Sequence, residues 1–453
     1  MREAKLQGNL TQGSLLRNLM RFSIPYLIAC FLQTFYGLAD LYIIGQFHGA
    51  SSITAVSVGS QVTHMLTVVI VGLAMGGTVT ISRAIGAGDQ KRAGCYIAHV
   101  ILCSLALAIV LTLGLCLGTD GIIRLLSTPK EALEETREYL TICFLGTIFI
   151  TAYNCISSIF RGLGDSKRPM FFVAIAGVLN IVLDYYFIGI CGFGARGAAL
   201  GTVISQAFSV LISGVVLFRM RKGLGLFRSA FLWNASYGKE ILMIGGPIAL
   251  QDSFIQISFL IITAIANGRG VDTAAAVGIV EKVIGFAFLV PSAMLSSVSA
   301  IAAQNAGASH HDRARKVLYY GIAICLGYGL VISIICQGFS AQVLELFAKT
   351  EPRVITLGSQ YLRAYIWDCM FAGVHFCFSG YFTAYGKSWI SFVHNMISIV
   401  IARIPLAYGA SILFPGNLFP MGCAAPIGSI VSSGICIVAF LVFFKNQKGK
   451  SLE

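Results

Sequence analysis

Apolar runs of twenty residues or more recur along the whole chain, separated by short polar segments rich in glycine, proline and charge. A hydrocarbon core is about 30 Å thick and an α-helix rises about 1.5 Å per residue, so each crossing needs roughly 20 apolar residues. The pattern predicts about twelve helical spans, at 22–45, 52–82, 94–118, 138–160, 170–192, 196–220, 240–266, 273–302, 317–340, 360–384, 390–412 and 421–445. The second and eighth are too long for a simple crossing and are expected to run on into the cytoplasm.

The pattern also repeats. Ser82 to Ala93 (SRAIGAGDQKRA) and Ala303 to Ala314 each follow a long apolar run, and at an offset of 221 Gly86 meets Gly307, Arg92 meets Arg313 and Ala93 meets Ala314. At an offset of 222 Pro25 meets Pro247, Tyr139 meets Tyr361, Phe160 meets Phe382 and Gly164 meets Gly386. A near-constant offset over most of each half indicates a duplicated membrane unit. Six spans per half is an even number, so both halves start and finish on one side and share an orientation. The expected fold is an all-α polytopic membrane protein of twelve transmembrane helices, in two six-helix lobes related by a pseudo-twofold axis along the membrane normal. Residues 1–218 would form the N-terminal lobe, 219–239 a cytoplasmic linker and 240–453 the C-terminal lobe. A parallel repeat of this kind implies a central cleft opened alternately to either face.

With 57% hydrophobic and 11% charged residues in 453, the chain has too little polar surface for a soluble globule. Its net charge of +13 would suit nucleic acid were it not for its distribution. With the N-terminus inside, about 22 Lys or Arg fall on cytoplasmic segments and about 7 on external loops, which is the positive-inside bias of a multi-pass cell-membrane protein with both termini cytoplasmic. No basic stripe interleaved with aromatics lies outside the membrane, so no nucleic-acid partner is expected. The thirteen cysteines form no CxxC pair and read as small apolar packing residues. Gly192 to Gly197 fits GxGxxG, but in a short loop between spans it lacks the strand and helix of a nucleotide fold. No HExxH, GxSxG or Walker sequence appears, and no cofactor or enzymatic activity is expected.

An ionised Asp at mid-membrane costs at least about 2.5 kcal/mol on insertion scales, so intramembrane acids are functional candidates. Gln33, Tyr36 and Asp40 share one face of the first span; Asn180 and Asp184 are one turn apart in the fifth, Thr202 and Gln206 in the sixth, and Asn154 lies in the fourth. Their carboxylate, amide and hydroxyl oxygens suit a proton or a hard cation such as sodium. The neutral members serve equally well as interhelical hydrogen-bond links, worth about 0.6–2 kcal/mol each. At the repeat-equivalent positions of the two acids stand Ile262 and Leu406, so the acidic pair belongs to the first half alone. The second half carries Asp252 with Gln256, Glu281 beside Lys282, Asp368 with His375, and Arg403. Asp368 is a candidate for a cationic substrate or for a salt bridge, whereas His375 and His394 read as packed polar residues.

The proline-bearing first span SIPYLIACFLQTFYGLADLYIIGQ, the post-span motif IGAGDQKRA with its partner NAGASHHDRA, and FRGLGDSKRP with NIVLDYYF resemble the multidrug and toxic compound extrusion (MATE) transporters over essentially the whole chain. The resemblance implies an antiporter that exports amphipathic, often cationic, drugs or toxins in exchange for protons or sodium ions, working in a lipid bilayer and here expected to act as a monomer. It implies a coupling site at Asp40, Asn154, Asn180, Asp184 and Thr202, with any sodium at Asp40, Asn180 and Asp184, and no other metal. Pro25 matches the proline at which the first helix can bend. Gln33, Tyr36, Met65 and Asp368 are the residues expected to face substrate. The seventh span departs from the glutamate some members place there, having Gln251, Asp252 and Gln256. The rival readings are a lipid-linked oligosaccharide flippase, which would want cationic residues in its cleft, and a membrane-embedded enzyme, which would need a cluster of His, Cys or paired acids at a water interface.

Overall fold

A computed structural model describes residues 9–126, 128–348 and 351–445. The extreme ends of the two expected lobes, 1–8 and 446–453, lie outside the described residues. The described residues form helices and no strands. In lipid this is the expected outcome, since a helix satisfies its own backbone hydrogen bonds without water.

The spans are α1 Leu15–Phe47, α2 Ala50–Gly86, α3 Gln90–Leu125, α4 Lys130–Leu145 with Thr147–Gly162, α5 Lys167–Ile190 and α6 Gly194–Met220. The second half supplies α7 Ala235–Asn267, α8 Val271–Gly307, α9 His311–Glu345, α10 Pro352–Tyr365 with Asp368–Ala384, α11 Ser388–Leu413 and α12 Phe419–Val442. Ten are each long and apolar enough to cross a membrane, and α4, bent by 44° at Gly146, makes an eleventh. The twelfth, α10, is broken in the same way into segments of 14 and 17 residues.

Duplication is visible in the helix starts. Ala50 and Val271, Gln90 and His311, Thr147 and Asp368, and Lys167 and Ser388 each begin a helix 221 residues apart. The turns match as well. Gly88 (φ +72°) and Ser309 (φ +59°), also 221 apart, are both left-handed, as are Gly164 and Gly386 at 222. Ser309 holds at some strain a conformation that glycine adopts freely. Asp89 then caps α3 by accepting the Arg92 backbone N–H at 2.8 Å.

Two compact units divide the chain, one built mainly from Met20–Ala249 and the other from Leu250 onward. The division falls inside α7, and glycines explain its place. A Cβ on Gly76 would lie 2.1 Å from the Ile241 carbonyl oxygen, and one on Gly245 would lie 2.3 Å from that of Leu73. The first turns of α7 therefore pack backbone to backbone on α2. The linker is fastened to the same unit. A Cβ on Gly94 would strike the Gly225 carbonyl at 2.3 Å. His99 donates from Nδ1 to the Cys95 carbonyl at 2.8 Å and accepts the Asn234 backbone N–H on Nε2 at 2.9 Å, a pairing that requires the neutral ring. Glu240 meets Arg83 at 3.5 Å and Arg92 at 3.9 Å and accepts the Tyr96 hydroxyl.

Within the first unit the core is layered. One apolar layer includes Tyr96, Phe160, Phe172 and Val173, with Tyr36 packed against it. The other includes Ile43, Ile44, Tyr139, Phe144 and Ile188. The polar residues Asp40, Asn180, Asp184, Thr202 and Gln206 lie on α1, α5 and α6, helices that contribute to both layers. In the second unit the corresponding position of α7 is filled by Ile262, inside a single apolar cluster with Tyr361, Tyr365 and Ala424.

Gly76→Ala should destabilise the first unit by about 1–3 kcal/mol, because the methyl meets backbone that cannot rotate away. Gly114→Ala, where nothing lies within 4 Å, should leave stability unchanged or slightly raised. Thermal unfolding of the detergent-solubilised proteins separates the two; equal melting temperatures would contradict the close α2–α7 contact.

Candidate functional site

The first unit's polar cluster is assembled from α1, α5 and α6. Asp40 is 5% exposed and Asp184 fully buried. The Thr202 hydroxyl donates to Asp40 Oδ2 at 3.4 Å, and Asn180 Nδ2 donates to Asp184 Oδ2 at 3.3 Å. Asp184 and Asn180 both lie within hydrogen-bonding reach of Asp40, so two carboxylates stand side by side. Asp184 reaches this place only because α6 has no side chain opposite it. A Cβ on Gly201 would lie 2.1 Å from Asp184 Oδ1.

What the cluster lacks defines its chemistry. Asp40 Oδ1, Asp184 Oδ1 and Asn180 Oδ1 are buried and have no hydrogen-bond partner. Three unpartnered oxygens, two of them on carboxylates, form an acceptor-only set. A proton shared between the acids would satisfy the two carboxylate oxygens, and a hard cation all three at once. Among the described residues no group of three or more His, Cys, Asp or Glu could hold a metal, which agrees with a set built as much from amide and hydroxyl as from carboxylate. Two ionised carboxylates in this surrounding repel one another, so uptake of positive charge is favoured.

The other expected residues are placed as follows. Asn154, 5% exposed, donates its amide to the Ile150 carbonyl of its own helix at 2.9 Å and makes no hydrogen bond to either acid. Tyr36 packs on Gly177, receives a hydrogen bond from Gln206 at 3.4 Å and adjoins Asp40. Gln33 and Met65 are half-buried. Helix α1 continues through buried Pro25. Asp368 is in the second unit, 2% exposed, lining a cavity there with His375 and Arg403. Sequence reasoning missed Gly201, whose only signal is its position one residue before Thr202. It also missed the π-helical segment Tyr185–Ile190 that begins directly after Asp184. Such segments are frequent at functional sites, but nothing in the local residue pattern announces one.

Comparison with known proteins follows the same two-part division. A model of the family MatE matches residues 25–186 and again 247–409, once in each half. Over 443 residues, 98% of each chain, the protein is 29% identical to a Bacillus subtilis protein named "Probable multidrug resistance protein YpnP". Over 379 residues, 83% of each chain, it is 26% identical to "Multidrug export protein MepA" of Staphylococcus haemolyticus. A solved structure described as MATE in the bent conformation superposes over the whole of both chains with a TM-score of 0.92 at 24% identity, which establishes the fold.

Gly201→Ala should displace the Asp184 carboxylate and weaken cation binding while leaving the helices assembled. The parent protein should show a thermal shift with added sodium or lowered pH, and the variant should lose it. An unchanged shift would mean that Asp184 is not part of the binding set.

Proposed function

The chain belongs to the MatE family of transporters, and we propose that it is a secondary active antiporter that exports amphipathic, often cationic, small molecules by alternating access. The observation that carries this reading is the buried pair Asp40 and Asp184, with Asn180 and Thr202 hydrogen-bonded to it and three oxygens left without partners. Two acids in hydrocarbon are costly unless their charge is used. Here a proton or sodium ion neutralises them and its release restores their charge, so occupancy of the site changes the electrostatic field inside the first unit.

Coupling follows from competition. With the site filled, the pair no longer attracts a drug cation; with it empty, the pair does. Each proton moving inward through a 100 mV potential supplies about 2.3 kcal/mol, and a pH gradient adds to it. Exchange of one proton for one monovalent drug cation cancels the electrical part, so concentrative export then draws on the chemical gradient. Tyr36, Gln33 and Met65, half-buried on α1 and α2, supply an adaptable surface that is aromatic, polar and thioether in turn. Asn154 supports the set at one remove through its helix. Pro25 leaves the Arg21 carbonyl without its helical donor, a weak point at which α1 can bend. Residues 219–239 act as the cytoplasmic linker between the lobes, with both termini on that side of the plasma membrane and the monomer as the working unit. Neither rival is favoured: the buried pair is acidic, where a flippase for a pyrophosphate-linked lipid would need cations, and the family is one of transporters.

Purified protein in liposomes, with pH and sodium gradients imposed separately, tests the proposal. Asp40→Asn and Asp184→Asn should each reduce gradient-driven export to background while the protein stays folded; full activity in both would falsify the antiport site. Pro25→Ala should slow exchange more than it weakens drug binding. Equal exchange rates in variant and parent would leave the proline a structural feature only.

A further inference from the structure

The second unit contains a cavity in which about 50 Å³ is open to the centre of a water molecule. Its charged and polar lining comes from Asp368 and His375 on α10, Asn395, Ser398 and Arg403 on α11 and Ser429 on α12. Asp368, His375 and Asn395 are all more than nine-tenths buried. Asp368 Oδ1, His375 Nδ1 and Arg403 Nε have no hydrogen-bond partner.

Arg403 is the unusual member, because a guanidinium stays charged at any pH the cell meets. It lies 4.6 Å over the Phe259 ring and 5.8 Å from that of Tyr365, and it donates to the Tyr365 hydroxyl. These contacts hold it in place without neutralising it. Asp368 and Glu281 are near enough to act on it electrostatically, yet among the described residues no carboxylate oxygen comes within 4.0 Å of its nitrogens. Glu281 is occupied by the Thr263 hydroxyl at 3.2 Å. A guanidinium and a carboxyl group thus border one cavity without closing on each other.

The repeat supplies a second argument. The first unit's candidate residues come from α1, α2, the second segment of α4, α5 and α6. The cavity is lined from the five corresponding elements, α7, α8, the second segment of α10, α11 and α12. Asp184 directly precedes a π-helical segment in α5, and Arg403 ends one, Ser398–Arg403, in α11. Corresponding helices of the two halves thus each carry a charged group beside a π-helical segment, at different positions along the repeat, acidic in the first and of mixed charge in the second.

We propose that this cavity is a second ligand-binding site, and that it takes a zwitterionic head group whose carboxylate pairs with Arg403 and whose ammonium, a few bonds away, pairs with Asp368. Phe259, Phe288 and Phe376 form an apolar wall suited to an attached ring. A carboxylate is the natural partner of the guanidinium fork, and an ammonium carries donors for the unpartnered Asp368 oxygen. A ligand bearing both charges completes both groups at once, whereas a simple cation or anion leaves one of them buried and unpaired.

Three compounds that share a phenyl ring test this by calorimetry on the full chain in detergent: phenylalanine, phenethylamine without the carboxylate, and 3-phenylpropanoate without the ammonium. Phenylalanine should bind about tenfold more tightly than either, the factor one charge-assisted hydrogen bond supplies at the weak end of its range. Arg403→Gln should erase its advantage over phenethylamine but keep that over 3-phenylpropanoate, and Asp368→Asn should do the reverse. That crossed pattern cannot arise from misfolding. Absence of binding, equal binding of the three to the parent, or preferences unchanged in the variants would overturn the site and leave only an ion pair separated by water. Equilibrium binding needs no gradient, so such a failure leaves the antiport reading standing; inactive exchange would likewise leave this site untouched.

Discussion

Placing two carboxylates next to each other inside a helix bundle that must live in hydrocarbon is the constraint around which the first unit is organised. Both acids are buried, on helices that also carry the unit's apolar clusters. Thr202 and Asn180 each give the pair one hydrogen bond, which is enough to orient the acids but not to saturate them. The oxygens left over make the site receptive to a small positive charge. A fully satisfied cluster would be more stable and chemically inert.

The two halves share a scaffold and differ in chemistry. Helix starts, left-handed turns and the breaks in α4 and α10 keep nearly one offset through the chain. Side chains at the acid positions do not: Ile262 packs into an apolar core and Leu406 is partly exposed. The backbone is under one common demand in both halves, to satisfy its hydrogen bonds within each span. Buried side chains answer only to their local partners, so they are free to diverge between the halves.

Much of this was legible in the sequence, for the same reason. Span number and order follow from hydropathy, and the repeat from identities such as Gly86 with Gly307. The candidate acids follow from the cost of charge in lipid, and their neighbours Asn180 and Thr202 from helical spacing. Other features depend on distances between helices, which one chain's pattern does not encode. The place of Asn154 outside the hydrogen-bonded pair, the docking of α7's first turns on α2, and the facing of Arg403 and Asp368 across a cavity all belong to this kind. So do the π-helical segments, whose residues are as apolar as any ordinary span.

The bare backbone of Gly201 carries a consequence for inheritance. A methyl group there and a carboxylate at 184 cannot occupy the same space. The two positions therefore form a single hereditary unit: a lineage that keeps the acid must keep the glycine, and one that loses the acid is released to accept alanine or serine. Across relatives, the identity of a residue without a side chain becomes a marker of whether its neighbour still carries a charge.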